Sequence, residues 1–352
     1  MTRNNYFKRK VFKNTKSQSL ILSFRKKLLS EEINLKRNNL KITVIAPYTF
    51  GYIDVLVEKI AEKPDITVEF IDISTILLEY ESSLQRGKNF LSKNLFDRNL
   101  KKEHKMRVLK KKLLQNPEQD VILVVRPDVL EKSVLAFLRT RAKKVISYYY
   151  DAIGNIPEKQ NLLAYFDEVY SFEKADVEKF GLKFITNFIP VDEPDKCANE
   201  KGVFHISSYD SRAKTIVDVA RQLEKFEYPY TFVVKSGRPL DSKFLNVILE
   251  YVDCKEVMQL MKESSIILDV QKENQEGLSF RVFEALGYDK KLITTNEDVR
   301  NYDFYNPENI LIVDRENPVV TKSFLLNEHV PVPKIVKDKY RRGAWIQEVL
   351  GI

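Results

Sequence analysis

Residues 265–288 constrain the fold more than any other stretch of the 352-residue chain. Ser265-Ile-Ile-Leu-Asp-Val270 is short, apolar and β-branched, which predicts a buried strand. Gln271-Lys-Glu-Asn-Gln-Glu-Gly-Leu278 is a polar loop. Ser279 to Tyr288 then has helical spacing, with Phe280, Val282, Phe283 and Leu286 apolar and Ser279 placed to cap the helix. Such a unit puts backbone N–H groups and the positive helix end at the carboxyl edge of the strand, where α/β sheets bind anionic ligands. Glu276 and Glu284 bracket the turn. They can accept hydrogen bonds from hydroxyls while the helix end holds phosphate, a combination that points to a nucleotide-sugar. The spacing alone does not decide this. Glu308 and Glu316 share it but flank only the strand-like Ile310–Val313, with no helix start.

The same strand–helix rhythm runs through most of the chain. Strands are expected at Lys41–Ile45, Ile66–Ile71, Asp120–Val125 and Lys144–Tyr149, with shorter ones at Glu168–Tyr170 and Lys183–Thr186. Helices are expected at about Ile53–Ala61 and Val129–Thr140. Phe188-Ile-Pro-Val-Asp-Glu-Pro-Asp195 interrupts the rhythm with two prolines and three acids and reads as a linker. Beyond it, strands are expected at Val203–Ser207, Tyr230–Val234, Lys291–Thr295 and Ile310–Val313, and helices at Arg212–Lys225 and Lys255–Lys262. Lys334–Leu350 reads as a terminal helix. Alternation of this kind argues parallel sheets covered on both faces. The length argues two domains. The expected division is a basic extension at 1–38, domains at 39–188 and 196–333, and the terminal helix at 334–352.

Charge is uneven. Residues 1–38 carry eleven Lys or Arg against Glu31 and Glu32, leaving 47 basic and 48 acidic residues in the rest, so the extension holds the whole excess of +8. Within it Leu20–Leu29 could form a short helix with Leu20, Phe24 and Leu28 on one face, and residues 1–16 read as disordered. A second basic block, Arg98–Lys112, interleaves eight cations with Leu100, Met106, Val108 and Leu109 and reads as an amphipathic helix. Most such blocks are solvated faces. Two in one half also suit an anionic membrane surface. No aromatic-interleaved platform supports a nucleic acid partner.

Other chemistries lack their motifs. No Gly-x-Gly-x-x-Gly follows a strand, and neither a Walker A sequence nor a Gly-x-Ser-x-Gly elbow is present. Three histidines without metal spacing predict no metal site. Cys197 and Cys254 read as reduced thiols of a cytosolic protein. No apolar stretch reaches the ~20 residues that span a bilayer, and no signal peptide is expected.

Glu276-x7-Glu284, with Gly277-Leu278 and Arg281 between, resembles retaining glycosyltransferases of the GT-B fold. Leu286–Asn296 and Tyr302–Pro307 resemble bacterial enzymes that build lipopolysaccharide or capsular polysaccharide. The specific part covers residues 203–314. In the first half only the rhythm and Tyr148–Pro157 carry it. The resemblance implies two Rossmann-like domains facing across a cleft, and no cofactor beyond a nucleotide-sugar co-substrate, UDP- or GDP-linked favoured. No bound metal is implied, and no Asp-x-Asp pair is present. It implies Glu284 on the ribose and Glu276 on the donor sugar. Lys235, Arg281 and the amides of Gly277, Leu278 and Ser279 would hold the diphosphate, with Ser207, Ser208 and Arg212 as further phosphate contacts. The acceptor would be a glycan or lipid-linked glycan, met by Tyr48–Tyr52, Arg126, Asp128 and Asp151. An inverting transferase needs a general base, for which Asp151 and Asp128 are the candidates. A retaining one would use them only for positioning. The implied place of action is the cytosol, peripheral on the inner membrane face. The alternatives are a transferase using a CMP-linked acidic sugar and a non-catalytic scaffold of the same fold.

Overall fold

A computed structural model describes residues 39–77, 99–153, 159–192 and 200–352. Leu40–Ala46 forms β1. Its sequence, Leu-Lys-Ile-Thr-Val-Ile-Ala, is apolar on both faces, as the central strand of a doubly covered sheet requires. Ile42 and Val44 join the core on one face and Ile45 the core on the other. Around β1 lie β2 (Ile66–Asp72), β3 (Gln119–Val125), β4 (Ala142–Tyr149), β5 (Glu168–Ser171) and β6 (Lys183–Phe184). All pair in parallel in the order β2-β1-β3-β4-β5-β6. The α-helices of this lobe among the described residues are α1 (Tyr52–Ala61), α2 (Leu100–Gln115), α3 (Lys132–Leu138) and α4 (Lys174–Phe180).

The second lobe has β7 (Val203–Ser208), β8 (Tyr230–Lys235), β9 (Asn246–Ile248), β10 (Ile266–Asp269), β11 (Lys291–Thr294) and β12 (Ile310–Ile312). Its parallel order is β12-β11-β10-β7-β8-β9. Counted within the lobe, this is the 3-2-1-4-5-6 order of a dinucleotide-binding sheet. Its helices are α5 (Ala213–Lys225), α6 (Cys254–Glu263), α7 (Phe280–Gly287), α8 (Lys322–Leu326), α9 (Lys334–Asp338) and α10 (Arg342–Leu350). Each sheet has a point where successive crossovers diverge, between β1 and β3 in the first and between β7 and β10 in the second. Crevices open there at the strands' carboxyl ends.

α10 crosses back to the first lobe. Trp345, Ile346 and Val349 enter the core that holds Ile42, Leu56 and Tyr148. The Trp345 ring lies edge-on to Tyr148 at 5.0 Å and to Phe188 at 5.6 Å. The single terminal helix expected at 334–350 is two helices. Tyr340 O accepts from Ile189 N at 2.8 Å, and Arg341 takes an extended backbone bridged to Ile189, so the helix breaks where the two lobe crossings meet. The helix expected at Val129–Thr140 is shorter than the spacing predicts. Arg126 adopts left-handed φ 57° and a single tight turn, Pro127–Val129, precedes α3. The 1–38 extension, the Leu20–Leu29 helix, Arg98, the end of the 188–195 linker and Cys197 lie outside the described residues.

Candidate functional site

A cavity of about 360 Å³ opens between the lobes where the two crevices face each other. The first lobe contributes the β1–α1 turn, Tyr48 to Tyr52, and Tyr150–Asp151 after β4. The second contributes the ends of β7, β8 and β10 and the start of α7. The β1–α1 turn is sharp: Phe50 and Gly51 both hold left-handed backbone, at φ 54° and 83°, so the chain reverses within two residues and α1 starts at Tyr52. Gly51 adopts this conformation without penalty; for Phe50 it is strained.

Glu284 stands at the centre. It is 5% exposed, one turn into α7, and it meets groups from both lobes. Tyr52 Oη, from the first lobe, donates to Glu284 Oε1 at 2.8 Å, and the Tyr52 ring stacks on Phe280 at 3.9 Å. Arg281 Nη1 lies 2.7 Å from Oε2. That contact is an ion pair off the line of a hydrogen bond, so Oε2 is a buried carboxylate oxygen, paired in charge with Arg281, that has no hydrogen-bond donor among the described residues. Burial pushes the Glu284 carboxyl up, with Arg281 and Tyr52 pulling the other way. The Tyr288 hydroxyl, one turn further along, also lines the cavity without a partner.

The start of α7 is built from a small network. Ser279 Oγ accepts from Arg281 N at 3.1 Å, the N-cap bond that the sequence predicts, and donates to Asp269 Oδ1 at 2.9 Å. Thr294 Oγ1 donates to Asp269 Oδ2 at 3.1 Å. Burial raises the Asp269 carboxyl against these bonds. Beneath, His205 Nδ1 lies 2.8 Å from Leu268 O. A carbonyl only accepts, so Nδ1 carries the proton and Nε2 accepts from Ser207 Oγ at 2.9 Å. Burial drops this imidazole to about 3.

The cavity cations differ in their partners. Arg212 makes a two-bond pair with Asp210 and reaches Val270 O. Lys272 pairs with Asp151 at 3.3 Å. Lys235, at the end of β8, lies over the Tyr251 ring at 4.4 Å and has no ion pair among the described residues. Arg281, Lys235, Glu284, Ser279, Ser207, Ser208 and Asp151 thus all line one cavity. Asp151 has both oxygens engaged: Arg126 Nη1 sits 2.7 Å from Oδ2, and Lys272 Nζ and Gln275 Nε2 approach Oδ1. Arg126 also grips Asp128 through two bonds.

Glu276, Gly277 and Leu278 lie outside the cavity lining. Glu276 is exposed. Of the amides expected to hold diphosphate, the Gly277 N–H donates instead to Glu173 Oε2 at 3.1 Å, and the Glu276 N–H joins it there at 2.8 Å. A carboxylate of the first lobe therefore occupies that anion position in this structure. Sequence reasoning missed Glu173, His205 and Asp269. Only Asp269 carried a local signal, an acid inside an apolar strand. No group of residues suited to a metal occurs among the described residues, and no helix among them is long and apolar enough to cross a membrane.

No family description matches the chain, and no curated protein matches it. Solved structures do. AviGT4, a glycosyltransferase involved in avilamycin A biosynthesis, aligns over 88% of this chain and 93% of its own, with a TM-score of 0.53 at 10% identity. The apo structure of OtsA aligns over 89% and 99%, with a TM-score of 0.50 at 11% identity. A UDP-GlcNAc 2-epimerase from Methanocaldococcus jannaschii aligns over 89% and 100%, with a TM-score of 0.47 at 9% identity. Two parallel six-stranded sheets, each Rossmann-like and facing the other across a cleft, define the chain as a GT-B fold.

Proposed function

We propose that the protein is a glycosyltransferase that takes a sugar from a nucleotide-sugar bound in the interlobe cavity. The observation that carries the reading is Glu284. Its carboxylate is buried at the switch point of the second sheet with one oxygen lacking a hydrogen-bond donor, beside Arg281 and within the cavity that Lys235 also lines. A ribose hydroxyl supplies the missing donor to Oε2. Lys235, without a carboxylate partner, faces the phosphates. Arg281 neutralises Glu284 in the free protein and is placed to stabilise charge on the leaving phosphate as the glycosidic bond breaks. The fold shared with AviGT4 supports this class of chemistry. The finer reading, retaining transfer to a glycan or lipid-linked acceptor in bacterial surface polysaccharide synthesis, rests on the resemblance of residues 276–307. Glu276 does not line the cavity here, so its contact with the donor sugar requires the 271–278 loop to move.

The test is calorimetric titration with UDP, GDP, CMP and dTDP, followed by assay with the sugar-linked form of whichever binds. Glu284→Ala is expected to weaken nucleotide binding by about 1–3 kcal/mol, the range for a lost charged hydrogen bond. Arg281→Ala is expected to lower kcat more than it weakens nucleotide binding, because leaving-group charge grows in the transition state. Unchanged nucleotide affinity in folded Glu284→Ala removes the ribose assignment. Isomerised donor with no sugar reaching any acceptor removes the transferase reading.

A further inference from the structure

Glu173 follows β5, stands at the N-cap position of α4 without a side-chain cap bond, and lies outside the cavity. It is 2% exposed, yet it carries a carboxylate. Oε2 receives the Glu276 and Gly277 N–H groups from across the lobe boundary, while Oε1 is buried without a partner. A buried carboxylate is costly unless hydrogen bonds offset its lost hydration, and here the two amides supply them. What it holds is the last turn of chain before α7.

The neighbouring carbonyls of that segment are engaged as well. Glu276 O accepts from Asn296 Nδ2 at 3.0 Å, and Gly277 O accepts from Gln271 Nε2 at 3.1 Å. Leu278 O accepts from Asn187 Nδ2 at 2.8 Å. Asn187 belongs to the first lobe and is itself fixed by Tyr148 Oη. Gly277 packs directly against the first lobe: a Cβ there would overlap the Phe172 carbonyl oxygen and ring. Next to these contacts the Lys174 ammonium bridges both oxygens of Asp298 at 2.7 Å. The first lobe thus grips residues 276–278 through Glu173 and Asn187. Ser279, Arg281 and Glu284 follow directly.

We propose that Glu173 is a positioning residue that couples lobe closure to assembly of the donor site. With the lobes together, its carboxylate receives the two amides and seats the first turn of α7, which sets Arg281 and Glu284 in the cavity. With the lobes apart, the amides lose their acceptor and the start of α7 is released. An anionic acceptor suits the task because hydrogen bonds to a charged oxygen are about twice as strong as neutral ones. The inference rests on the donor-site reading above for what α7 presents, and on the seam alone for the coupling.

The experiment compares the full chain with Glu173→Ala, Glu173→Gln and Gly277→Ala. It reads hydrogen exchange across residues 276–283 against β8 and the affinity for UDP and GDP. Glu173→Ala is expected to speed exchange at 276–283 and weaken nucleotide binding, each by about tenfold, with β8 unchanged. Glu173→Gln keeps an acceptor oxygen and should restore both to within a few-fold. Gly277→Ala attacks the same contact from the other lobe and should reproduce the loss. If Glu173→Ala does not accumulate as folded protein, Gly277→Ala and Glu173→Gln decide by the same readouts. Unchanged exchange at 276–283, or an equal rise in β8, overturns the coupling and leaves Glu173 a residue of general stability. If the wild-type chain binds none of UDP, GDP, CMP and dTDP, the donor-site reading fails and the exchange data alone decide the clamp.

Discussion

His205 lies midway along β7, buried at the cavity floor, with both ring nitrogens committed to Leu268 and Ser207. Burial holds the folded imidazole at about 3, below its usual 6.5. Between those values the unfolded chain binds a proton that the native state does not. Stability from this residue is therefore complete above 6.5 and is lost as pH falls toward 3. Glu173, Asp269 and Glu284 run the other way: burial raises each carboxyl, so their contribution declines as pH rises through the folded values. His205→Asn keeps a donor near the Nδ1 position but cannot titrate. Its urea midpoint should fall less steeply than the wild type's as pH is lowered through the histidine window. Parallel slopes for the two proteins would show that His205 is not the acid-side group. Sequence legibility at this scale follows distance along the chain. The meeting of Lys235, Ser279, Arg281 and Glu284 at one cavity was readable because they lie at a strand end or in the first turns of the helix that follows one. Tyr52 on Glu284 spans 232 residues and Glu173 on Gly277 spans 104, and no local pattern encodes such meetings.

Helix α10 ties the end of the second lobe's chain into the core of the first. Its Trp345 is 3% exposed and packs on Tyr148 and Phe188, while Arg342 Nη1 donates to Val55 O at 2.8 Å. Trp345→Ala removes a large buried ring from a core that cannot close over the gap. The expected cost is about 3–5 kcal/mol, measured by chemical denaturation of the full chain. A cost below about 1 kcal/mol would mean that α10 is only loosely docked. The strands were mostly legible because continuous β-branched runs bounded by polar turns leave few other options. β9 was not. Asn246–Ile248 is three residues long and pairs only with β8, so it has neither the length nor the apolar run that marks a strand. The break between α9 and α10 was also invisible locally, because the bond that makes it comes from Ile189.

At the scale of the molecule, the two sheets meet carboxyl edge to carboxyl edge, and charge is distributed unequally between them. The first lobe carries α2, whose Lys101, Lys102, Arg107, Lys111 and Lys112 are exposed, with Leu114 62% exposed beside them. Met106, Leu109 and Leu113 anchor the opposite face in the core, so the basic face is held outward by packing rather than by chance of sequence. If the acceptor is lipid-linked, one of the two acceptor classes of the proposed function, the first lobe has to approach a bilayer. Each basic residue near an anionic surface contributes ~1 kcal/mol, an attraction screened beyond ~10 Å at 0.1 M salt. Replacing the five exposed cations of α2 with glutamine should therefore reduce sedimentation with anionic vesicles at low salt. It should leave nucleotide affinity unchanged, since Lys235, Arg281 and Glu284 lie in the other lobe. High salt should produce the same loss in the wild-type chain, and neutral vesicles should bind neither protein. Equal sedimentation of wild type and variant with anionic vesicles at low salt would reduce the α2 face to ordinary solvated surface.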